Sequence, residues 1–212
     1  MDSTISTSAI ITAGGLSQRF GSNKLLELIN DKTVIETTIL KFINLVDEIV
    51  IPAGFEVKEF LNQSGICLDK IKFAPPGNTR QESVYSALMV CSNPKNVLIH
   101  DGARPFVKCE TIKKVIDKLR CKKAVIAGFY AIDTIKEVEK GKVIKTLDRK
   151  RIFQTQTPQG FDYQLIKKIH LLCKDNPVFT DDSSMLEAYG AEVFVVEDSR
   201  ANIKITNKED LL

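Results

Sequence analysis

With 212 residues, 43% of them hydrophobic and 27% charged, the chain is long enough to bury an α/β core without disulfide or metal staples. Its net charge of +3, with Lys and Glu scattered throughout, argues against a nucleic-acid partner, which needs a concentrated basic face. The 5 cysteines are odd in number and form no C-x-x-C, and with only 2 histidines they suit free thiols better than a disulfide framework or a zinc site.

The opening MDSTIST has neither the basic nor the apolar region of a signal peptide, and no apolar run approaches the roughly 18 residues of a membrane span. A cytoplasmic protein without membrane contact is expected, folded as one domain over 1–212. The first strand, ending in Ile10, Ile11 and Thr12, leads into Ala13, Gly14 and Gly15, then Ser17, Arg19, Gly21 and Lys24. Small residues at a strand end let backbone N–H groups approach a ligand, because no Cβ stands in the way. Such groups form an anion-binding concavity, and Arg19 and Lys24 add charge, so a polyphosphate is the simplest ligand. The spacing excludes a P-loop as normally written and lends no support to a dinucleotide fingerprint. The competing reading is a plain glycine turn with surface cations.

Next, Thr33-x-x-Glu36 reads as a capping box for a helix carrying Val34, Ile35, Ile39, Leu40 and Ile43 at helical spacing. Residues 48–52 read as a buried strand, 56–63 as a weak helix, 71–74 as a strand and 75–78 as a loop. Thr79-x-x-Glu82 is a second capping box, opening a helix to about Cys91. The near-continuous apolar run 96–100 is a strand of the kind buried on both faces of a parallel sheet. A helix at 110–119 and a strand at 124–131 follow. The alternation breaks at Asp133. There 134–138, 142–147 and 152–155 form three short pieces around a Lys140-Gly141 turn, an exposed arm over 133–155 that needs a packing partner. Helices at 163–173 and 182–189 and strands at 192–196 and 202–206 complete the chain. The rhythm predicts an α/β fold with a mostly parallel sheet, helices on both faces, and ligands beyond the carboxyl ends of its strands. The Gly14 loop, Asp101 and Asp133 all fall at such ends.

Other groups invite chemistry. Asp101, in HDGARP after a buried strand, can hold Mg²⁺ against phosphate oxygens, or can simply cap a turn and pair with Arg104. His100 reads as a packed or orienting residue. Residues 77–83 place polar groups at a helix start, suited to an anion or a polar base edge as well as to capping. Residues 156–161 read as a turn with a free hydroxyl on Thr157, and 180–184 as an acidic helix start. Lys204, on a strand, faces opposite to Ile203 and Ile205, as a solvent-facing lysine also would.

In order, AGGLSQRFGSNK, GNTRQESV, HDGARPF, DRKRIFQTQTPQGF, TDDSSMLEAYG and NIKIT make a set that resembles the 2-C-methyl-D-erythritol 4-phosphate cytidylyltransferases, over about 9–211. These belong to the nucleotidyltransferases with a three-layer, Rossmann-like fold. Ribitol-5-phosphate cytidylyltransferases share HD-x-x-RPF, QTPQ-x-F and NIKIT and are the nearest rival. A silent nucleotide-binding protein on the same fold is the rival from another class, and the full set Arg19, Lys24, Asp101 and Lys204 argues against it.

The resemblance implies a Mg²⁺-dependent homodimeric enzyme that takes CTP and a polyol phosphate. It implies that Ala13, Gly14 and Gly15 wrap CTP, with Arg19 and Lys24 on the triphosphate and Lys204 near the α-phosphate. Gly77 and Ser83 match positions that touch cytosine or ribose, Ala103 one beside the ribose, and Asp101 the metal-binding aspartate. The acceptor site would use Asp133, Thr134, Arg149, Thr157 and Thr180, with Thr134 and Arg149 reaching the site of the other subunit through the arm. Asn78 stands where an aspartate is common, and the loop between Arg19 and Lys24 is shorter than in some members.

Overall fold

The computed structural model describes residues 6–14, 23–174 and 179–211. Its strands are short apolar runs whose alternate side chains enter two different cores. β1 (Thr7–Thr12) sends Ala9 and Ile11 to one face and Ile10 to the other. A small hairpin of β2 (Leu28–Ile29) and β3 (Lys32–Thr33) leads into α1 (Val34–Phe42), which opens on the reciprocal capping box that Thr33 and Glu36 predict. Then β4 (Glu48–Pro52), α2 (Phe55–Gln63), β5 (Ile71–Ala74), α3 (Arg80–Val90), β6 (Asn96–Asp101), α4 (Cys109–Lys118) and β7 (Ala124–Tyr130) alternate without interruption. After them, β8 (Ile135–Glu139) and β9 (Lys142–Leu147) pair with each other as a separate two-stranded sheet. The chain ends with β10 (Phe153–Asp162), α5 (Tyr163–Leu172), α6 (Asp182–Ala188), β11 (Phe194–Glu197) and a single 3-10 turn at Lys208–Leu211.

The main sheet has the order β11-β7-β10-β6-β1-β4-β5. All its pairings are parallel except those of β10, which runs antiparallel to both β6 and β7. On one face α1, α2 and α4 bury Ile39, Phe42, Leu61 and Ile112 against Ile11, Ile51 and Leu98. On the other, α3, α5 and α6 bury Leu88, Tyr163, Ile166 and Leu186 against Ile10, Val50 and Ile99. The result is the mostly parallel, three-layer α/β sheet that the alternation predicts.

Three expectations fail locally. Residues 156–161 are no turn, and 152–155 do not belong to the arm. Phe153, Gln154 and Thr155 pair with Tyr130, Phe129 and Gly128 of β7, and after an irregularity Gln159, Gly160 and Phe161 pair with β6 and β7 as well. Pro158 misled the reading. A proline has no N–H for the ladder, and here it sits in the stretch where the pairing shifts, so the strand tolerates it. Second, 202–206 is not a strand. Asn202 and Ile205 are buried while Ile203 and Lys204 are exposed, so Lys204 shares its side with one of its Ile neighbours. Third, the box at Thr79 is one-sided. The Glu82 N–H donates to Thr79 Oγ1, but the Glu82 carboxylate accepts from the Asn78 N–H at 2.8 Å.

The sheet changes winding direction at β1, which lies between β4 and β6. There the carboxyl ends of β1 and β6 meet in register, Thr12 opposite Asp101. The Gly102 N–H donates to the Thr12 carbonyl at 3.0 Å, an approach so close that a Cβ on Gly102 would lie 2.7 Å from that oxygen. Gly102→Ala is therefore expected to cost about 1–3 kcal/mol by overpacking. The urea unfolding midpoint measures this, and an unchanged midpoint would contradict the close approach.

Candidate active site

The last residue of β6 carries the densest electrostatics of the described residues. Asp101 is 6% exposed, yet Lys204 Nζ lies 2.9 Å from its Oδ2, Arg80 Nε 3.4 Å from its Oδ1, and Arg104 Nε 3.5 Å from its Oδ2. Burial alone would raise its pKa, but Arg80, Lys204 and Arg104 outweigh that and hold the carboxyl well below its usual range. Arg80 reaches further, with Nη1 2.7 Å from Oδ2 of the buried Asp182. Burial works to discharge its guanidinium, and Asp182 and Asp101 overcome this and strengthen its charge. Asp101 thus does pair with Arg104, and it pairs with two further cations that the sequence reading did not connect with it.

The segment 202–206 docks this cluster onto the sheet. Arg104 Nη1 donates to the Asn202 carbonyl at 2.7 Å, Asn202 Nδ2 donates to the Thr157 carbonyl at 2.8 Å, and the Ile205 N–H donates to the Ala103 carbonyl at 2.8 Å. Lys24 Nζ donates to the Ile205 carbonyl at 2.9 Å. Lys24 and Lys204 are therefore held by one strip of backbone, one at its carbonyl and one on its own side chain.

Below the carboxylate, the Thr157 hydroxyl is not free. It accepts from the Asp101 N–H at 3.1 Å and lies 3.0 Å from His100 Nδ1, while His100 Nε2 lies 3.1 Å from the Arg104 carbonyl. A neutral ring with its proton on Nε2 satisfies every partner: Nε2–H donates to the carbonyl, and Nδ1 accepts from the hydroxyl. Burial, the largest influence, pushes the His100 pKa down to about 4. His100 is thus the packed, orienting residue that its context predicts, its ring centroid 4.8 Å from that of Phe42 with the two planes tilted by 50°.

Two clefts flank the start of α3. One, of about 460 Å³, is lined by Arg80, Asp101, Arg104, Thr157, Thr180 and Lys204 among others. The other, of about 470 Å³, is lined by Ala13, Gly14, Gly77 and Asn78 together with Phe55 at the start of α2. Ser83 is buried between them, accepting from the Gly77 N–H at 3.0 Å and donating to the Thr79 carbonyl at 2.9 Å. A Cβ on Gly14 would lie 3.1 Å from the Ser83 hydroxyl, so Gly14, Gly77 and Ser83 form one floor. Ala103 is buried in the core and acts through its carbonyl. Asp133, Thr134 and Arg149 gather instead at the root of the arm, where Arg149 Nη1 donates to the Ile132 carbonyl, and they do not line the Asp101 cleft. Gly15 and Arg19 lie outside the described residues. Arg80 escaped the sequence reading because GNTRQES reads as a helix start capped by Thr79 and Glu82, beside which a lone cation looks like a surface residue. Asp182 escaped it because TDDSS offers two carboxylates, of which Asp181 caps α6 and Asp182 turns inward.

A sequence model of the family described as 2-C-methyl-D-erythritol 4-phosphate cytidylyltransferase matches residues 7–212. The chain is 37% identical to a Bacillus cereus protein of that name over 211 residues, covering 96% of this chain and 93% of the relative. Among solved structures it resembles 4-diphosphocytidyl-2C-methyl-D-erythritol synthase from Anaerococcus prevotii, with TM-score 0.88, 31% identity, and coverage of 97% and 94% of the two chains. It also resembles the Francisella tularensis 2-C-methyl-D-erythritol 4-phosphate cytidylyltransferase, with TM-score 0.81, 35% identity, and coverage of 97% and 96%.

The buried imidazole makes stability pH-dependent in a definite direction. Between the ordinary histidine value of 6.5 and about 4, the unfolded chain binds a proton that the folded His100 refuses. Stability therefore falls as pH drops through that window, by on the order of 3 kcal/mol in all. Urea unfolding near neutral pH and at about pH 4.5 should show wild type losing about 2–3 kcal/mol more than His100→Gln. Equal losses would contradict a neutral, buried His100.

Proposed function

Because the chain belongs to the 2-C-methyl-D-erythritol 4-phosphate cytidylyltransferase family, we propose that the two clefts divide its substrates between them, CTP over the Gly14–Gly77 floor and the acceptor phosphate toward Asp101. The enzyme transfers CMP from CTP to 2-C-methyl-D-erythritol 4-phosphate, releasing pyrophosphate and giving 4-diphosphocytidyl-2-C-methyl-D-erythritol, a precursor step of isoprenoid synthesis. The observation that carries the division of labour is the convergence of Lys24, Lys204 and Asp101 on one strip, 202–206, at the carboxyl ends of β1 and β6.

A phosphate oxygen of the acceptor is already an anion near neutral pH, so its in-line attack on the α-phosphorus needs no general base. Rate then rests on positioning and on neutralising charge as pyrophosphate departs. Lys204, 40% exposed at its side chain and paired with Asp101, is placed to turn toward the phosphates. Lys24 and Arg19 carry the triphosphate, Gly15 joins Ala13 and Gly14 around CTP, and Ser83 and Ala103 shape the base and ribose end. Thr180 lines the acceptor side, and Thr157 supports it by fixing the Asp101 backbone.

Among the described residues no group of three His, Cys, Asp or Glu side chains could cage a metal. A Mg²⁺ that keeps few protein ligands suits this donor set, since one carboxylate and the substrate's own phosphates are its usual shell. Asp101 would hold it, and the ion would add positive charge against the phosphate oxygens.

The arm supplies the rest. A two-stranded hairpin is marginal alone, and this one exposes Val138, Val143 and Ile144. A second copy of the chain covers it in our reading, and Asp133, Thr134 and Arg149 at its root complete the acceptor site of the other subunit. A single nucleotidyltransferase domain working in the cytoplasm fits the described residues, none of whose helices is long and apolar enough to cross a membrane.

Lys204→Ala and Lys24→Ala are each expected to lower turnover about 10²-fold or more with the fold intact. The assay follows pyrophosphate from CTP and Mg²⁺ with either 2-C-methyl-D-erythritol 4-phosphate or ribitol 5-phosphate. Turnover only with the second acceptor would overturn the substrate assignment, and near-normal turnover of either variant would remove that lysine from the site. Arg149→Ala tests the arm. Mixed under subunit exchange with Lys24→Ala, it should regain part of the activity that each variant lacks alone, because one site in each mixed dimer has both residues. Confirmed exchange without regained activity would place Arg149 outside the site of the other subunit.

A further inference from the structure

Behind Asp101 lies a buried relay that the transfer chemistry leaves without a task. α3 begins with Arg80, α6 begins with Asp182, and α5 contributes His170. Asp182 and His170 are fully buried, and His170 Nε2 lies 3.0 Å from Asp182 Oδ1, which leaves Oδ2 to Arg80 Nη1 at 2.7 Å. The start of α6 is itself pinned to β10: Gln159 Nε2 donates to Asp181 Oδ2 at 2.7 Å, and Gln159 Oε1 accepts from the Ser183 N–H at 3.2 Å. Three helices and two strands thus fix one guanidinium.

The three cations on Asp101 are not equivalent. Lys204 is the most exposed, with its ammonium on Asp101 alone among the described residues. Arg104 is tied to the Asn202 carbonyl. Only Arg80 bridges two buried carboxylates, Asp101 on one side and Asp182 on the other. A buried carboxylate that loses its compensation is strongly penalised. When phosphate draws Lys204 away, Arg80 is the partner that a second carboxylate prevents from following.

We infer that Arg80 is a positioning residue for the transfer reaction: braced by Asp182 and His170, it holds the Asp101 carboxylate in place while Lys204 turns from Asp101 to the substrate phosphates. The inference rests on the family reading above. A planar guanidinium can span two carboxylates where a lysine ammonium, a point donor, cannot. Arg80→Lys therefore keeps the charge and removes the bridge.

The test is a double-mutant cycle on turnover at saturating CTP and acceptor, with wild type alongside. Arg80→Lys should lower kcat about tenfold or more, leave KM for CTP within about threefold, and move the thermal midpoint by only a few degrees. Asp182→Asn should lower kcat in the same way. The double variant should be no worse than the poorer single variant within about twofold, because both changes remove one arrangement. Normal kcat in Arg80→Lys, or losses that multiply in the double variant, would overturn the inference and leave the relay as a structural tie between α3 and α6. If Asp182→Asn does not fold, Arg80→Lys decides alone. Absence of turnover in wild type would strike the family reading instead. In that event the loss of CTP binding by Arg80→Lys in calorimetry, with Mg²⁺ present, would count against a role confined to positioning Asp101.

Discussion

A carboxylate that is almost wholly out of water and still charged constrains everything around it. Asp101 is compensated by Arg80, Arg104 and Lys204, which come from a helix start, a turn and a loop far apart in the chain. Each must be delivered to the same point, and the fold is what delivers it. The parallel sheet aligns the ends of β1 and β6, Gly102 lets the chain pass within hydrogen-bond distance of Thr12, and α3 starts above that junction. Three cations, Arg80, Arg104 and Lys204, gather at one end of a cleft that Asp181 and Glu187 also line, and the cations are the groups a phosphate can engage. A CMP-transferring enzyme handles two phosphorylated substrates at once, so the electrostatic constraint and the chemistry coincide.

The strip 198–206 holds these parts in register with few residues. Asp198 accepts from Thr111 on α4 and from Asn202, Asn202 ties to Thr157 on β10 and to Arg104, and Ile205 ties to Ala103 and Lys24. Only the bond from Ile205 to Ala103 is purely backbone; the others rest on the side chains of Thr111, Asp198, Asn202, Arg104 and Lys24, which together fix where Lys204 emerges. The polar chain Asp101 N–H, Thr157 hydroxyl, His100 ring and Arg104 carbonyl does the same from below. The groups of this short chain pair with one another, and paired buried polar groups hold one arrangement rather than several.

Much of this is legible in the sequence. Alternating apolar runs such as 48–52 and 96–100 announced buried parallel strands, Thr33 and Glu36 announced a helix start, and the break at Asp133 announced the hairpin. Asp101 and Lys204 were picked out as site residues, but not as partners of each other, since no local pattern encodes a contact between a strand end and a distant loop. What misled the reading was residue types with two physical uses. Pro158 and Gly160 look like a turn and instead sit in an antiparallel strand, where a bulge excuses the proline and where a side chain on Gly160 would meet Val115 and Leu119 of the helix face behind. The run 202–206 belongs to no strand, so its side chains are not bound to alternate, and Asn202 and Ile205 are the buried ones. Arg80 and Asp182 sit at helix starts, where a surface cation and a capping carboxylate are the ordinary readings, and only tertiary packing turns Arg80 to Asp101 and Asp182 to Arg80.

The account stands on Asp101 being the charged hub of the site rather than a turn residue that happens to attract cations. Turnover of Asp101→Asn at saturating CTP, Mg²⁺ and 2-C-methyl-D-erythritol 4-phosphate measures this most directly, with circular dichroism to confirm that the sheet persists. The neutral amide keeps the size and the backbone bonds and removes the charge that organises Arg80, Arg104 and Lys204. The account predicts a fall of about 10²-fold or more. Turnover near that of wild type, with unchanged Mg²⁺ dependence, would contradict it.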